Sequence, residues 1–267
     1  MRRRHFTQRA GQALQQIRPT SGFVVSLRGV GKTFENGVAA LDGLSLDIAD
    51  GEFVTLLGPS GCGKSTALRI IAGLGEASTG VVAAPGENIG FVFQDPTLLP
   101  WLTVADNVML PFKLGGVEKS RPRAAVAQAL ARVGLSEFAG AYPRELSGGM
   151  RMRASIARAL VTEPRLLLMD EPFAALDEIT RFKLNNDLLA LWQELRRTVV
   201  FVTHSVFESV YLSQRILVMT PRPGRVFAEI VIPASYPRDE RFRTSAEYAG
   251  YCRQVSEALA QAMGGAS

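Results

Sequence analysis

The residues best suited to chemistry are Gly58-Pro59-Ser60-Gly61-Cys62-Gly63-Lys64-Ser65-Thr66 and, much further along, Asp170 and Glu171 at the end of an apolar run, LLLMD. Glycines let consecutive backbone amides converge on phosphate oxygens, and a helix that follows adds about half a positive charge at its N-terminus. The first run fits G-x-x-x-x-G-K-[ST] between a strand-like segment and a helical one, which is the context this motif requires. Lys64 would reach the β- and γ-phosphates of a nucleoside triphosphate, and the Ser65 hydroxyl would sit on Mg²⁺. Asp170 at a strand tip can hold the same ion, usually through water. Successive strand residues point to opposite sides, so Asp170 and Glu171 should take different tasks, with Glu171 polarising the attacking water. Cys62 reads as a small filler, although its place at a helix start could lower its pKa and make it reactive. A second stretch, LSGGM at 146–150, opens another helix and is also built to meet a phosphate.

The elements that must position these residues are legible from hydrophobic periodicity. Residues 23–30 and 41–48 alternate like strands, and EFVTLL at 52–57 runs as a buried strand into the glycine-rich loop and a helix near 64–73. Further strands fall near 80–85 and 89–93, then at 165–170, 198–203, 215–220 and 225–232. From about 95 to 160 helical patterns take over, notably at 120–134 and 147–162, and another helix spans 178–197. Strands alternating with helices imply a largely parallel sheet, split by a mainly helical insertion. At the C-terminal end, Tyr248, Tyr251, Cys252, Val255 and Leu259 share a helical face that suits packing.

Composition narrows the function classes. The chain has 267 residues, 47% of them hydrophobic, with a formal charge of +5. Residues 1–22 hold Arg2, Arg3, Arg4, Arg9 and Arg18 without a single acid; removing those five from 30 basic residues leaves 25 against 25 acidic ones. The basicity belongs to the tail, so no nucleic-acid face is expected on the folded body. That tail reads as a flexible leader, in which Phe6, Ala10, Leu14 and Ile17 could share a helical face suited to an anionic lipid surface. The longest apolar runs are about five residues, far below the ~20 of a membrane span. Any membrane role must come through a partner. The two cysteines, Cys62 and Cys252, show no pairing or metal spacing, which fits a reducing compartment.

With the glycine-rich loop, the Asp-Glu strand end and LSGGM in that order, the chain resembles the nucleotide-binding subunit of an ABC transporter over about residues 23–230. The resemblance implies an α/β fold: a P-loop NTPase core with a mainly parallel sheet, an N-terminal antiparallel β region and a helical insertion. Three segments follow: the basic tail 1–22, an ATPase domain 23–232 with its helical part at about 95–160, and a C-terminal helical extension 233–267. By the family's pattern Gln94 links Mg²⁺ and the attacking water to the helical insertion. Ser147, Gly148 and Gly149 would bind the γ-phosphate held by a second copy, and Asp177 would cross between copies. His204 would contact the γ-phosphate and position the water, while Phe34 would stack on adenine. Taken singly, Phe34 fits a core or strand-end aromatic, Gln94 and Asp177 fit turns, and His204 fits a structural role; their ordered spacing carries the reading.

The stretches at 96–108 and 172–192 look most like the importers of nitrate, alkanesulfonates, taurine and pyrimidine precursors. Leu98, Leu99, Trp101 and Leu102 are then candidates for a groove that receives a permease helix, or for internal core. The implied partners are a second copy, membrane permease subunits and, indirectly, a solute-binding protein. The implied place is the cytoplasmic side of the inner membrane, as a peripheral subunit. Three departures stand out: Met150 and Met152 where glutamine is common, and Ser205 where aspartate follows the histidine. Serine can still cap the next helix, without the charge–dipole attraction of about 0.3–1 kcal/mol. Two other classes use related parts. ATPases of DNA repair insert long coiled coils or zinc modules, of which none is visible; a small-molecule kinase would need no LSGGM.

Overall fold

A computed structural model of the chain describes residues 22–86, 88–115 and 120–264. The basic tail, with the face formed by Phe6, Ala10, Leu14 and Ile17, lies outside the described residues. Two sheets organise the rest. Strands β1 (Phe23–Thr33) and β2 (Ala39–Ala49) form an antiparallel pair around a tight turn, closed by a hydrogen bond from Gly37 N to Phe34 O at 2.9 Å. Strand β3 (Phe53–Leu57) leads through the glycine-rich loop to helix α1 (Lys64–Ile71), and β4 (Thr79–Ala83) returns to pair with β1. Three antiparallel strands, in the order β2-β1-β4, therefore cover one side of the molecule.

The larger sheet adds β5 (Ile89–Val92), β6 (Leu166–Asp170), β7 (Thr198–Thr203), β8 (Arg215–Met219) and β9 (Val226–Val231), in the order β5-β6-β7-β3-β8-β9. Every residue of β3, β6 and β7 is buried, which explains why these segments read as continuous apolar runs rather than as alternation. Side chains from one face, such as Val54, Leu56, Leu168 and Val202, pack with α1 and the antiparallel sheet. Those from the other face, such as Phe53, Leu167, Met169 and Phe201, pack against the helices. All neighbouring strands are parallel except β8 and β9. The turn at 220–225 is too short for the crossover that a parallel neighbour needs.

Between β5 and β6 lie α2 (Val104–Leu114), α3 (Ser120–Arg132) and α4 (Gly148–Leu160). Buried Asn107 ties the loop before α2 in place: its amide donates to the carbonyls of Leu99, Leu102 and Thr103 and its oxygen accepts from Leu99 N at 2.7 Å. In that loop Leu98 is half-buried against the core, whereas Trp101 is 69% exposed. After β6 come α5 (Glu178–Leu195), α6 (Val206–Leu212), α7 (Glu240–Arg243) and α8 (Ala246–Gly264). Helix α8 buries Tyr248, Cys252, Val255 and Ala262. The segment before it is stapled by buried Arg238, which donates to the carbonyls of Val210, Tyr211, Ser213, Ile232 and Ala234. Among the described residues no helix is long and apolar enough to cross a membrane.

Candidate nucleotide site

The loop from Gly58 to Gly63 lies at the C-terminal end of central strand β3, where open α/β sheets place their ligands. Gly63 has φ +109°, and a Cβ there would stand 2.6 Å from the carbonyl oxygen of Ala40. Only glycine fits that turn. No side chain caps α1, so its first amides remain available to an anion. Lys64 is buried, and its ammonium donates to the carbonyls of Gly58 at 2.8 Å and Pro59 at 2.9 Å. A phosphate could replace those neutral acceptors with a stronger charged one. Ser60 stands exposed on the rim, and Ser65 and Thr66 are half-buried in the first turn of α1.

Cys62 is the small filler that its place in the loop suggested, and the alternative of a reactive thiol fails. It is 1% exposed, and burial pushes its thiol above the ordinary cysteine value despite the opposing charge of Lys64. Desolvation of the thiolate outweighs the helix terminus, so the residue is an inert filler packed against Gly58.

At the acid end, the Ser65 hydroxyl donates to Asp170 Oδ1 at 2.7 Å. Burial raises the Asp170 pKa, and the bond from Ser65 opposes that rise. A hydroxyl and a carboxylate in contact beside the cradle are hard oxygen donors of the kind Mg²⁺ takes, together with phosphate oxygens and water. The expectation that Asp170 and Glu171 point to opposite sides fails. Strand β6 ends at Asp170, and Glu171 turns into the left-handed region at φ +45°. Both carboxylates therefore reach the cradle by different partners. Glu171 Oε1 lies 3.5 Å from Lys64 Nζ, and its Oε2 lies 3.1 Å from His204 Nδ1. His204 follows the last residue of β7 and is half-exposed. With its proton on Nδ1 it donates to Glu171, leaving Nε2 free to accept.

Lys64, Ser65, Asp170, Glu171 and His204 thus form one connected cluster. Ser147, Gly148, Gly149 and Asp177 form another. Exposed Ser147 caps α4, accepting from Met150 N at 3.3 Å. A Cβ on Gly149 would meet Thr180 Cγ2 at 2.8 Å, so glycine is what lets the start of α4 pack on the start of α5. Asp177 caps α5 through Thr180 N at 2.9 Å, and that backbone bond holds its carboxyl below the usual range. Two residues lie outside the hydrogen-bonded cradle cluster. Exposed Gln94 lines a cleft of about 550 Å³ with Pro96, Gly148, Met152 and Leu176. Phe34 is 44% exposed at the β1–β2 turn, with Lys32 Nζ 5.6 Å from its ring centre. Of the three departures, Met152 is buried in the helical core, Met150 is half-buried beside it, and Ser205 caps α6 by accepting from Glu208 N at 3.3 Å.

Sequence reasoning missed the brace behind the cradle. Arg222 Nε donates to Gly61 O at 3.0 Å, and Gly224 N donates to Ala40 O at 2.9 Å. The run PRPG announces a turn, but nothing in its spacing says which loop it supports.

Comparison with known proteins places relatives along most of the chain. The family model described as ABC transporter matches residues 41–174. The taurine import ATP-binding protein TauB of Rhizobium johnstonii is 50% identical over 198 residues, covering 72% of this chain and 76% of its own. The aliphatic sulfonates import ATP-binding protein SsuB 1 of Pseudomonas syringae is 48% identical over 206 residues, covering 77% and 84%. Among solved structures, a dimeric ATP-binding cassette in a post-hydrolysis state with ADP and Pi superimposes with TM-score 0.70 at 35% identity, over 79% of this chain and all of that one.

Proposed function

The chain belongs to the ABC transporter family as an ATP-binding, ATP-hydrolysing subunit, and from that premise we propose that two copies close head to tail around two ATP molecules and drive uptake of a small sulfonate-type solute through a membrane permease. One observation carries the two-copy reading. The cradle and acid cluster are assembled within one chain, while the capped starts of α4 and α5 form a second phosphate-ready edge that this cluster does not use. The cassette that superimposes on this chain is dimeric, and head-to-tail pairing would bring each cradle to the partner's α4.

In this reading the loop amides and Lys64 take the β- and γ-phosphates, and Phe34 stacks on the adenine. Ser65 and Asp170 hold Mg²⁺, with Gln94 reaching it when the cleft beside it closes. Bound there, the ion neutralises charge on the phosphate oxygens. Glu171 accepts the proton of a water whose oxygen forms a bond to the γ-phosphorus, as the bond from phosphorus to the ADP oxygen breaks. His204 holds that water and the γ-phosphate in line. Ser147 and Gly149 of the partner supply an uncharged hydroxyl and backbone amides from a helix N-terminus, which stabilise the transferring phosphoryl group. Asp177 crosses at the seam.

The cargo class is supported by the import proteins for taurine and aliphatic sulfonates, which share about half their residues with this chain over most of its length. The subunit would sit peripherally on the cytoplasmic face of the inner membrane. Exposed Trp101, with Leu99 and Leu102, would meet the permease, and a solute-binding protein would act on the permease from the other side. The test is reconstitution. The chain should co-purify with an integral-membrane protein, and vesicles holding both, with a solute-binding protein, should take up taurine or an alkanesulfonate only with ATP. Phosphate transferred to a small acceptor instead of water would contradict the reading.

A further inference from the structure

His204 is held from behind by a buried polar chain. The Thr203 hydroxyl accepts from Ser205 N at 3.0 Å and donates to Glu208 Oε2 at 2.5 Å, so the turn carrying His204 is tied on both sides to one carboxylate. Glu208 is buried, an expensive place for a carboxylate unless it is paired. Its other oxygen, Oε1, lacks a hydrogen bond and faces Arg181 Nε, which also lacks one, across 3.9 Å. Arg181 belongs to the first turn of α5. Its other end donates to Leu176 O at 2.9 Å, next to Asp177. Buried Asn185, one turn further along α5, leaves its own Oδ1 without a partner.

This ion pair is longer than a hydrogen bond, and with Asn185 beside the carboxylate it marks a contact that a small movement can tighten. A small inward shift of α5 toward α6 would close it, and the start of α5 is the edge that faces a partner. We propose that Arg181, Glu208 and Thr203 are positioning residues forming a relay: docking of a second copy at Asp177 presses α5 inward, the Arg181–Glu208 bond closes, and Thr203 seats His204 against the γ-phosphate. The relay rests on the two-copy reading above. It ties hydrolysis to completion of the partner's half, so that ATP bound by a single chain is spared.

The experiment compares the full wild-type chain with Thr203→Val, Thr203→Ser, Glu208→Gln, Arg181→Met and the Glu208→Gln/Arg181→Met double variant. It measures kcat and KM for ATP and, by light scattering, ATP-dependent dimerisation. We expect kcat to fall tenfold or more in Thr203→Val, Glu208→Gln and Arg181→Met. KM and dimerisation should stay within twofold. Thr203→Ser should recover most of the loss, and the double variant should be no slower than the slower single. Thr203→Val keeps the shape of the buried side chain and carries the test should Glu208→Gln fail to fold. An unchanged kcat in folded Thr203→Val, a KM that rises as kcat falls, or additive losses in the double variant would overturn the relay. Wild-type hydrolysis with no dimer at any ATP concentration would instead sink the two-copy reading, and the relay with it.

Discussion

At the carboxyl ends of β3, β6 and β7, Lys64, Asp170, Glu171 and His204 are partnered with one another or with the loop that carries them. At the starts of α4 and α5, Ser147 and Asp177 cap their own helices and are otherwise exposed. The first region brings titratable groups together partly out of water, at a cost to the folded state. The second is made of cheap, locally satisfied caps and close-packed glycine. A site that must change protonation during turnover needs the first arrangement. A surface that must meet a ligand held by another molecule needs the second, since it has to be stable while unfilled.

Four substitutions would break or sharpen that contrast. Glu171→Gln should cut hydrolysis by about 10²–10⁴, the usual worth of a general base, and accumulate an ATP-bound dimer by size-exclusion chromatography. Hydrolysis at the normal rate would remove Glu171 from that role. Ser147→Arg should lower turnover at least tenfold at saturating ATP while nucleotide affinity of the isolated chain stays within twofold; the lost cap costs only about 1 kcal/mol. Loss of binding would move Ser147 into its own chain's site.

The third substitution uses stability. Burial raises the Asp170 pKa in the folded state. A carboxyl so raised contributes stability below its unfolded pKa, and that contribution is lost as pH rises through the folded value. At pH 7 the ionised group therefore opposes folding. Asp170→Asn should abolish hydrolysis yet stabilise the nucleotide-free chain by roughly 0.5–2 kcal/mol at pH 7, and flatten the acid side of a Tm-against-pH profile. A lower Tm at pH 7 would contradict the cause assigned to the shift. Asp177→Asn should have the smallest effect on folding, under about 0.5 kcal/mol, because asparagine caps as well as aspartate. A large loss of stability there would mean that the second region is not the inexpensive one.

Much of this contrast was legible in the sequence because its causes are local. A buried parallel strand has to be a continuous apolar run, and a glycine cradle needs a strand before it and a helix after it; LLLMD and Gly58–Ser65 follow from those constraints alone. What was not legible depends on neighbours distant in sequence. Cys62 reads as a filler from sequence, but only the packing that buries it decides against a reactive thiol at the helix start. Glu171 reads as the next strand residue until its left-handed turn is seen. Arg238 looks like a surface cation although five carbonyls surround it, and the Arg181–Glu208 gap joins two helices that no spacing rule relates.

The most direct test of the account is the specific ATPase activity of the wild-type chain as it is diluted at saturating ATP, with the dimer fraction followed by light scattering or analytical ultracentrifugation. Activity per chain should fall in step with the dimer and vanish where only monomer remains. Constant activity per chain in a solution shown to be entirely monomeric would contradict a site completed by a second copy.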